Sequence, residues 1–341
     1  MELYNKLSKK QRIELIEKAG ENRFTLSFYK YNSIKNPEIF RNFLFVELTK
    51  IDALGRIYVA SEGINAQLSI PSTNIQNLKI ILDDIPFLKD VRLNIAIEHD
   101  NKSFLKLKIK IRDKIVADGL DDTEYDLNKS GKHLNAEEFN ALLESKDTIT
   151  IDMRNHYESE IGHFKGANLP DVDTFRDSLP LINKKYSDYK NNKNILMYCT
   201  GGIRCEKASA YLLKKGYKNV FQLSGGIVEY ARQIKGSKIE NKFVGKNFVF
   251  DNRMSEKISD EIISFCHQCN EKCDSHTNCN NEACHLLFLQ CKKCRKKYNG
   301  CCSVGCKENY ELPNETRKNL RKGKRSGHKI FKKGRFNHKV F

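Results

Sequence analysis

The run Asn194-Ile195-Leu196-Met197-Tyr198-Cys199-Thr200-Gly201-Gly202-Ile203-Arg204-Cys205-Glu206-Lys207 joins three structural signals in a row. An apolar segment ends at Tyr198, a short glycine-containing loop follows, and a helical pattern from Glu206 to Lys215 leaves it, with Gly216 placed to stop the helix. The order is buried strand, tight loop, helix. A thiol at the strand end lies where the loop N–H groups and the helix N-terminus converge, and those dipoles favour a thiolate over a thiol. Arg204 adds a fixed positive charge, and Gly201 and Gly202 let the backbone curl close to the sulfur without a Cβ clash. Cys199 is therefore the candidate nucleophile, with Thr200, Gly201, Gly202, Ile203 and Arg204 as its loop. An ordinary structural turn needs neither the arginine nor the two glycines. Cys205, in the first turn of the helix, is either a resolving thiol or a packed one.

Working outward, a domain over residues 131–240 alternates strands and helices, which predicts a parallel, doubly wound α/β sheet. Asn135 and Glu138 have capping-box spacing before an apolar helix. Thr148–Ile151 is a strand ending in Asp152-Met153-Arg154, and a strand C-terminus is the functional edge of an open α/β sheet. Asp152 and Arg154 are expected to position the loop and a charged ligand. His163 is either a base for Cys199 or, more in keeping with its place, a structural support. No Ser-His-Asp set, P-loop or dinucleotide fingerprint is present. The Cys-x-x-Gly-x-Arg loop resembles the active-site loop of rhodaneses, in which the first cysteine carries a persulfide. Asp152-Met153-Arg154, Glu158, Gly162-His163-Phe164, Gly166-Ala167 and Ser224-Gly225-Gly226 resemble the segments that frame the rhodanese pocket.

The preceding residues, 1–120, read as an α+β domain. Strand signals at 26–31, 56–60 and 64–70, helical patterns at 38–50 and 73–84, and a strand over Phe104–Arg112 give the order βαββαβ of a ferredoxin-like or acylphosphatase-like fold. In the last strand Leu105, Leu107, Ile109 and Ile111 point one way, and Lys106, Lys108, Lys110 and Arg112 the other. Four cations on one sheet face are either a phosphate-contacting strip or a solvated face.

Residues 241–312 hold a different device. Ten of the twelve cysteines fall here: Cys266, Cys269, Cys273, Cys279, Cys284, Cys291, Cys294, Cys301, Cys302 and Cys306. The start of the chain lacks a hydrophobic leader and no segment approaches the ~20 apolar residues that span a bilayer, so a cytoplasmic protein without membrane partners is expected. In that reducing compartment two Cys-x-x-Cys pairs signal metal, with one or two zinc ions as the fit and an iron–sulfur cluster as the rival. A polar segment with little core of its own gains from a metal what it lacks in hydrophobic burial.

The net charge of +17 points to a polyanion, and, with no amphipathic or lipidated anchor, to nucleic acid. Eleven lysines and arginines without one acid lie between Arg317 and Lys339, in a stretch from 313 to 341 expected to be disordered alone. Phe331, Phe336 and Phe341 are spaced among those cations as base-stacking residues would be.

Taken with Gly55–Ala66, Phe248–Arg253 and the cysteine cluster, these motifs make roughly residues 1–310 resemble the bacterial rhodanese-domain tRNA uridine-34 hydroxylases. The resemblance implies oxygen-dependent conversion of the wobble uridine to 5-hydroxyuridine, with tRNA as partner, molecular oxygen as co-substrate, no role for DNA, and Cys199 as the carried-over reactive cysteine. The loop chemistry alone implies a sulfurtransferase with a Cys199 persulfide. A non-catalytic RNA-binding zinc protein is the third class, and an intact cysteine loop counts against it. Oligomeric state is not encoded in any of these motifs.

Overall fold

The computed structural model describes residues 7–322. Helix α1 (Lys9–Ala19) is closed by a reciprocal cap between Ser8 and Gln11. It buries only Ile16 among its residues, which is why no apolar stripe announces it. There follow β1 (Arg23–Tyr31), α2 (Pro37–Lys50), β2 (Leu54–Ala60), β3 (Gly63–Pro71), α3 (Ile75–Asp83), β4 (Asn94–Ile95) and β5 (Leu107–Ile111). Asn36 caps α2 with Pro37 at its first turn, where a missing N–H costs nothing.

The sheet order is β4-β1-β3-β2-β5. Leu26, Phe28, Ile57, Val59, Ala66 and Leu68 turn to one face and pack with Leu44, Leu48, Leu78 and Leu82 of the helices. Each such buried leucine, isoleucine, valine or phenylalanine side chain contributes about 1.5–3 kcal/mol. A one-residue slip would turn that set outward, so the register is fixed. It leaves Ser27, Tyr29, Arg56, Tyr58, Asn65 and Gln67 on the opposite face, aligned across the three central strands.

The fold differs from the expected βαββαβ in one respect. The closing position beside β1 belongs to the two-residue β4, antiparallel to it. The Leu107–Ile111 strand lies on the far edge, parallel to β2. Its composition suits an edge: Leu107 and Ile109 reach the core, while Lys108, Lys110 and Ile111 are exposed.

The central region contains β6 (Lys132–Leu134), α4 (Ala136–Leu143), β7 (Thr148–Asp152), α5 (His156–Ser159), β8 (Gly162–Phe164), α6 (Phe175–Lys185), β9 (Asn194–Tyr198), α7 (Ile203–Lys214), β10 (Asn219–Leu223) and α8 (Gly226–Ile234). The parallel sheet runs β6-β10-β9-β7, as the alternation predicts. Cores on both faces bury Ile195, Leu196, Met197 and Tyr198 completely, which explains the unbroken apolar run before Cys199. The Asn135–Glu138 capping box forms.

β11 (Phe243–Phe248) pairs antiparallel with β8 and with β12 (Ser255–Lys257), joining the last third of the chain to the central region. The hairpin β13 (His276–Asn278) and β14 (Leu287–Leu289) follows, then α9 (Lys292–Lys297), α10 (Val304–Glu311) and α11 (Asn314–Arg321). Helix α11 occupies the beginning of the stretch expected to be disordered from 313. Phe331, Phe336 and Phe341 lie outside the described residues. No helix among the described residues is long and apolar enough to cross a membrane.

Candidate active site

Cys199 stands at the end of β9, and α7 begins at Ile203, so the loop is only four residues long. Gly202 holds φ at +100°, and a Cβ there would come within 2.8 Å of the Tyr29 hydroxyl, so the position requires glycine. Its N–H donates to the Cys199 Sγ at 3.1 Å. On the other side Gly226 packs on the loop so closely that a Cβ would meet the Cys199 carbonyl at 2.5 Å. From there the Ile227 N–H donates to that carbonyl at 3.0 Å and the Val228 N–H to the Thr200 carbonyl at 3.2 Å. The Gly225-Gly226 turn thus fastens the loop from outside.

Burial alone pushes the Cys199 thiol up. The Cys205 thiol, the Arg204 charge and the N–H groups of Cys205 and Arg204 outweigh it and bring the thiol down to about 6. At neutral pH the group is a thiolate. Cys205 is buried and held well above the ordinary thiol range, by burial first and then by its proximity to Cys199. It stays protonated and donates to its neighbour.

Arg204 does not stand alone. Its two Nη atoms donate to Glu158 at 2.6 and 2.8 Å in a forked pair, and Nη2 also reaches the Thr200 hydroxyl at 3.3 Å. Glu158, quoted in the sequence motif but given no role, is completely buried and sets where the loop's cation sits. Asp152 and Arg154 are likewise buried, and they hold each other: Arg154 Nε and Nη2 donate to the Asp152 carboxylate at 2.9 and 2.6 Å, and Nη2 to the Gly162 carbonyl at 2.6 Å. They tie β7 to β8 beneath the loop, and neither lines the cavity described next. His163 has no catalytic geometry either. Its Nδ1 is 2.9 Å from the Ser159 carbonyl.

Cys199, Thr200, Gly201, Ile203 and Arg204 line a cavity of about 400 Å³, within the roughly 300–1,000 Å³ of small-ligand pockets. Its opposite wall is the polar face of the N-terminal sheet, with Tyr29, Arg56, Tyr58, Asn65 and Gln67. The two regions are fastened around it. Asn94 Nδ2 donates to the Gly201 carbonyl at 3.3 Å, and the Tyr29 and Tyr31 hydroxyls to Glu206 and to the Ile203 carbonyl, both at 3.2 Å. Lys207 of α7 is buried between Glu62, at 2.6 Å, and Asp118. Nothing in the sequence signals this ion pair, because its partners lie 145 and 89 residues away.

The basic strand extends this same wall. Lys108 pairs in register with Arg56 and Lys110 with Tyr58, so their side chains share the cavity-lining face. The Arg112 guanidinium lies 5.6 Å from the centre of the Tyr58 ring, and Lys106 is half-buried just before the strand.

The ten clustered cysteines divide. Cys266, Cys269, Cys291 and Cys294 bring their sulfurs together within 4.8 Å, and so do Cys279, Cys284, Cys302 and Cys306. Cys273 and Cys301 stand outside both sets. Thiolates at about 2.3 Å from one tetrahedral ion lie about 3.8 Å apart. The Cys269–Cys291, Cys284–Cys302 and Cys302–Cys306 sulfurs are 3.6, 3.7 and 3.6 Å apart. Burial pushes Cys266 up, but the N–H groups of Cys291, Gln268 and Cys269 pull it down to about 7. Donor set, spacing and N–H support all fit one tetrahedral ion per set.

Residues 23–115 match the family described as UPF0176 acylphosphatase like domain, 135–233 the rhodanese-like domain, and 244–307 the rhodanase C-terminal family. A protein of Photorhabdus laumondii named tRNA uridine(34) hydroxylase is 51% identical over 98% of this chain and 95% of its own length. A protein of the same name from Leptospira interrogans is 50% identical over 99% of this chain and 92% of its own. With half of its residues shared over nearly the full length of both chains, this chain belongs to the tRNA uridine(34) hydroxylase family.

Proposed function

We propose that this chain hydroxylates C5 of uridine 34, the wobble base of tRNA, in the cytoplasm, with molecular oxygen as co-substrate and Cys199 as the reacting side chain. The observation that carries this reading is the cavity shared by the Cys199 thiolate and an aromatic and amide-rich sheet face, in a chain of that family. A thiolate at neutral pH adds to uracil C6 and leaves electron density on C5, where the oxidant then reacts. Loss of the C5 hydrogen and expulsion of the thiolate restore the C5–C6 double bond and free Cys199. Uridine, O2, two electrons and two protons give 5-hydroxyuridine and water, so a two-electron donor completes the reaction. Arg204, placed by Glu158, keeps the sulfur ionised, and Asp152 with Arg154 keeps the strand ends in place.

The labour divides along the chain. Residues 1–120 supply the wall that meets the base, and Lys106, Lys108, Lys110 and Arg112 contact flanking phosphates. Residues 131–240 supply the thiolate. Residues 241–312 hold one zinc ion in each four-cysteine set, whose chemistry is structural because all four positions are filled by protein.

The test is nucleoside mass spectrometry of tRNA from cells lacking this gene, complemented with wild type or Cys199→Ala. Wild type restores 5-hydroxyuridine and its derivatives, and Cys199→Ala leaves them absent. The anion-binding loop by itself also suits sulfur transfer; unchanged 5-hydroxyuridine with a fall in thiolated nucleosides or sulfane sulfur would replace the hydroxylase reading with that one.

A further inference from the structure

The helix that the first four-cysteine set supports is covered in cations. In α9, Lys292, Lys293, Arg295, Lys296 and Lys297 surround the buried Cys294, and all five are exposed. At helical spacing Lys292, Arg295 and Lys296 are neighbours on one face, and Cys294 lies on the opposite one. Lys293 meets Glu271 at 3.1 Å, and Lys297 lies 5.3 Å from the centre of the Tyr298 ring. Lys292, Arg295 and Lys296 have no side-chain partner among the described residues.

Such a helix does not form for its own sake. Like charges at i,i+3 and i,i+4 destabilise by about 0.2–0.5 kcal/mol per pair, and here Lys292 faces Arg295 and Lys296 while Lys293 faces Lys296 and Lys297. A helix of 6 residues is also too short to be stable alone. The sulfurs hold it. Cys291 caps it, its Sγ accepting from the Cys294 N–H at 3.5 Å, and the Cys291 N–H donates to the Cys266 Sγ at 3.4 Å. Next to Cys266, His267 Nε2 is 2.6 Å from Glu160, which ends α5, the helix that carries Glu158. Helix α9 is thus mounted, through the first set, on the element that places Arg204 in the active site.

Four thiolates call for some positive charge, since a divalent ion leaves two of their charges unanswered. That need does not explain the run. The second set has the same donors, yet the segments that carry it, 279–284 and 302–306, contain no lysine or arginine. The lysine that follows, Lys307, is 3.9 Å from Glu311, and Arg321 of α11 is paired with Glu282.

We propose that the Lys292–Arg295–Lys296 face of α9 is a second tRNA contact surface, which binds backbone phosphates other than those beside the nucleotide in the cavity. This deepens the hydroxylase reading and rests on it. No residue of α9 lines the Cys199 cavity, so the surface is separate from the wall that meets the base. The face carries cations without an aromatic or amide side chain among them, and such side chains contact phosphate oxygens rather than base edges. Phosphates between the three cations offset their mutual repulsion. The surface adds affinity and orientation, and leaves the choice of base to the cavity. The first metal set then holds in place a helix that does not hold itself.

The test uses the full-length protein and a fluorescently labelled full-length tRNA transcript with uridine 34, and measures dissociation constants by anisotropy across a salt series. The triple variant Lys292→Ala, Arg295→Ala, Lys296→Ala is expected to weaken binding by at least about tenfold, and to reduce the slope of log affinity against log salt by about 2–3. Lys292→Arg with Arg295→Lys and Lys296→Arg keeps the charges and is expected to bind as wild type. Lys146→Ala with Lys184→Ala and Lys185→Ala removes the same charge from exposed lysines of the central region, and is expected to weaken binding less than about threefold. Metal content and a Cys199 alkylation rate equal to those of wild type report that each variant is folded. Wild-type affinity and slope in the α9 alanine variant would overturn the inference. So would an equal loss in the central-region variant, or a charge-keeping variant that binds as weakly as the alanine one. Failure of the hydroxylase reading is separate: it shows as cells in which wild type restores no 5-hydroxyuridine, whatever the affinities.

Discussion

One side chain type serves two opposite ends in this molecule. At the Cys199 loop a single sulfur is kept ionised by neighbours that are not metals: the Cys205 thiol, the Arg204 charge and backbone N–H groups. In the C-terminal segment eight sulfurs are gathered in fours, close enough to share one ion per set. The first arrangement leaves the sulfur's lone pairs available to a reactant in the cavity. In the second, a metal bound by each set would use them in coordination. What decides is the number of sulfurs within reach of each other and the depth of core around them. Cys199 belongs to an extensive apolar core, whereas Cys279 packs mainly with Leu286, Phe288 and other cysteines.

The strongest way to break this contrast is to remove the metal. Structural zinc contributes about 10–16 kcal/mol in small zinc-dependent domains. Purified protein is expected to hold two metal ions per chain by elemental analysis. A strong chelator, or Cys266→Ser with Cys279→Ser, should unfold residues 266–306, seen as loss of amide hydrogen-exchange protection confined to that segment. The Cys199 loop should keep its acidic thiol, because none of the groups that lower it belongs to that segment. If alkylation of Cys199 shifted in step with metal loss, the two sulfur sites would not be independent.

A smaller effect sharpens the other side. The rate of Cys199 alkylation should rise as pH increases through about 6 and level off above it, since the thiolate is the reacting form and its pKa is lowered to about 6. Cys205→Ala removes the largest of the groups that lower it. The rise should then move to higher pH, and the rate at pH 5 should fall about tenfold for every pH unit by which the rise moves. A profile unchanged in Cys205→Ala would leave Arg204 and the backbone as the whole explanation.

How much of this was legible depended on whether the relevant chemistry was local. The β9–loop–α7 unit was readable because strand, glycines and helix follow one another in sequence, and the structure adds only that α7 starts at Ile203. Asp152 and Arg154 were expected to position the loop and a charged ligand; Arg154 turns inward to Asp152 and Gly162, a direction that a strand-end position does not fix for a long side chain. The acylphosphatase-like order was legible, but not that a two-residue strand closes it. Strand β5 alternates as a central strand would, and only its lysines argued for an edge. The wall opposite Cys199 could not be read at all. Tyr58, Asn65 and Gln67 look like an ordinary solvated face until Asn94, Lys207 and Tyr29 pull that face over the thiolate. The ten cysteines were visible, but their sorting depends on the fold, because Cys279-x-x-x-x-Cys284 pairs with Cys302-x-x-x-Cys306 rather than with either Cys-x-x-Cys.

The smallest expected effect bears on that sorting. Cys273 is 6% exposed and belongs to the same apolar cluster as Cys266 and Cys294, so sequence proximity alone would make it a ligand. Four cysteines already complete the first set, and a tetrahedral ion there would have no fifth position for a structural role. Burial pushes the Cys273 thiol up, and its Sγ is 4.0 Å from the Ser275 carbonyl, the geometry of a protonated S–H rather than a thiolate. Cys273→Ser replaces a weak donor by a stronger one in the same place. It is expected to leave metal content at two per chain and to change stability by about 1 kcal/mol or less. Loss of one metal ion from this variant would mean that the first set recruits Cys273 in place of Cys269, the one exposed sulfur among its four. The contrast between the two kinds of sulfur site would survive that result. The identity of the ligands would not, and Cys269→Ser, retaining its metal, would then complete the reassignment.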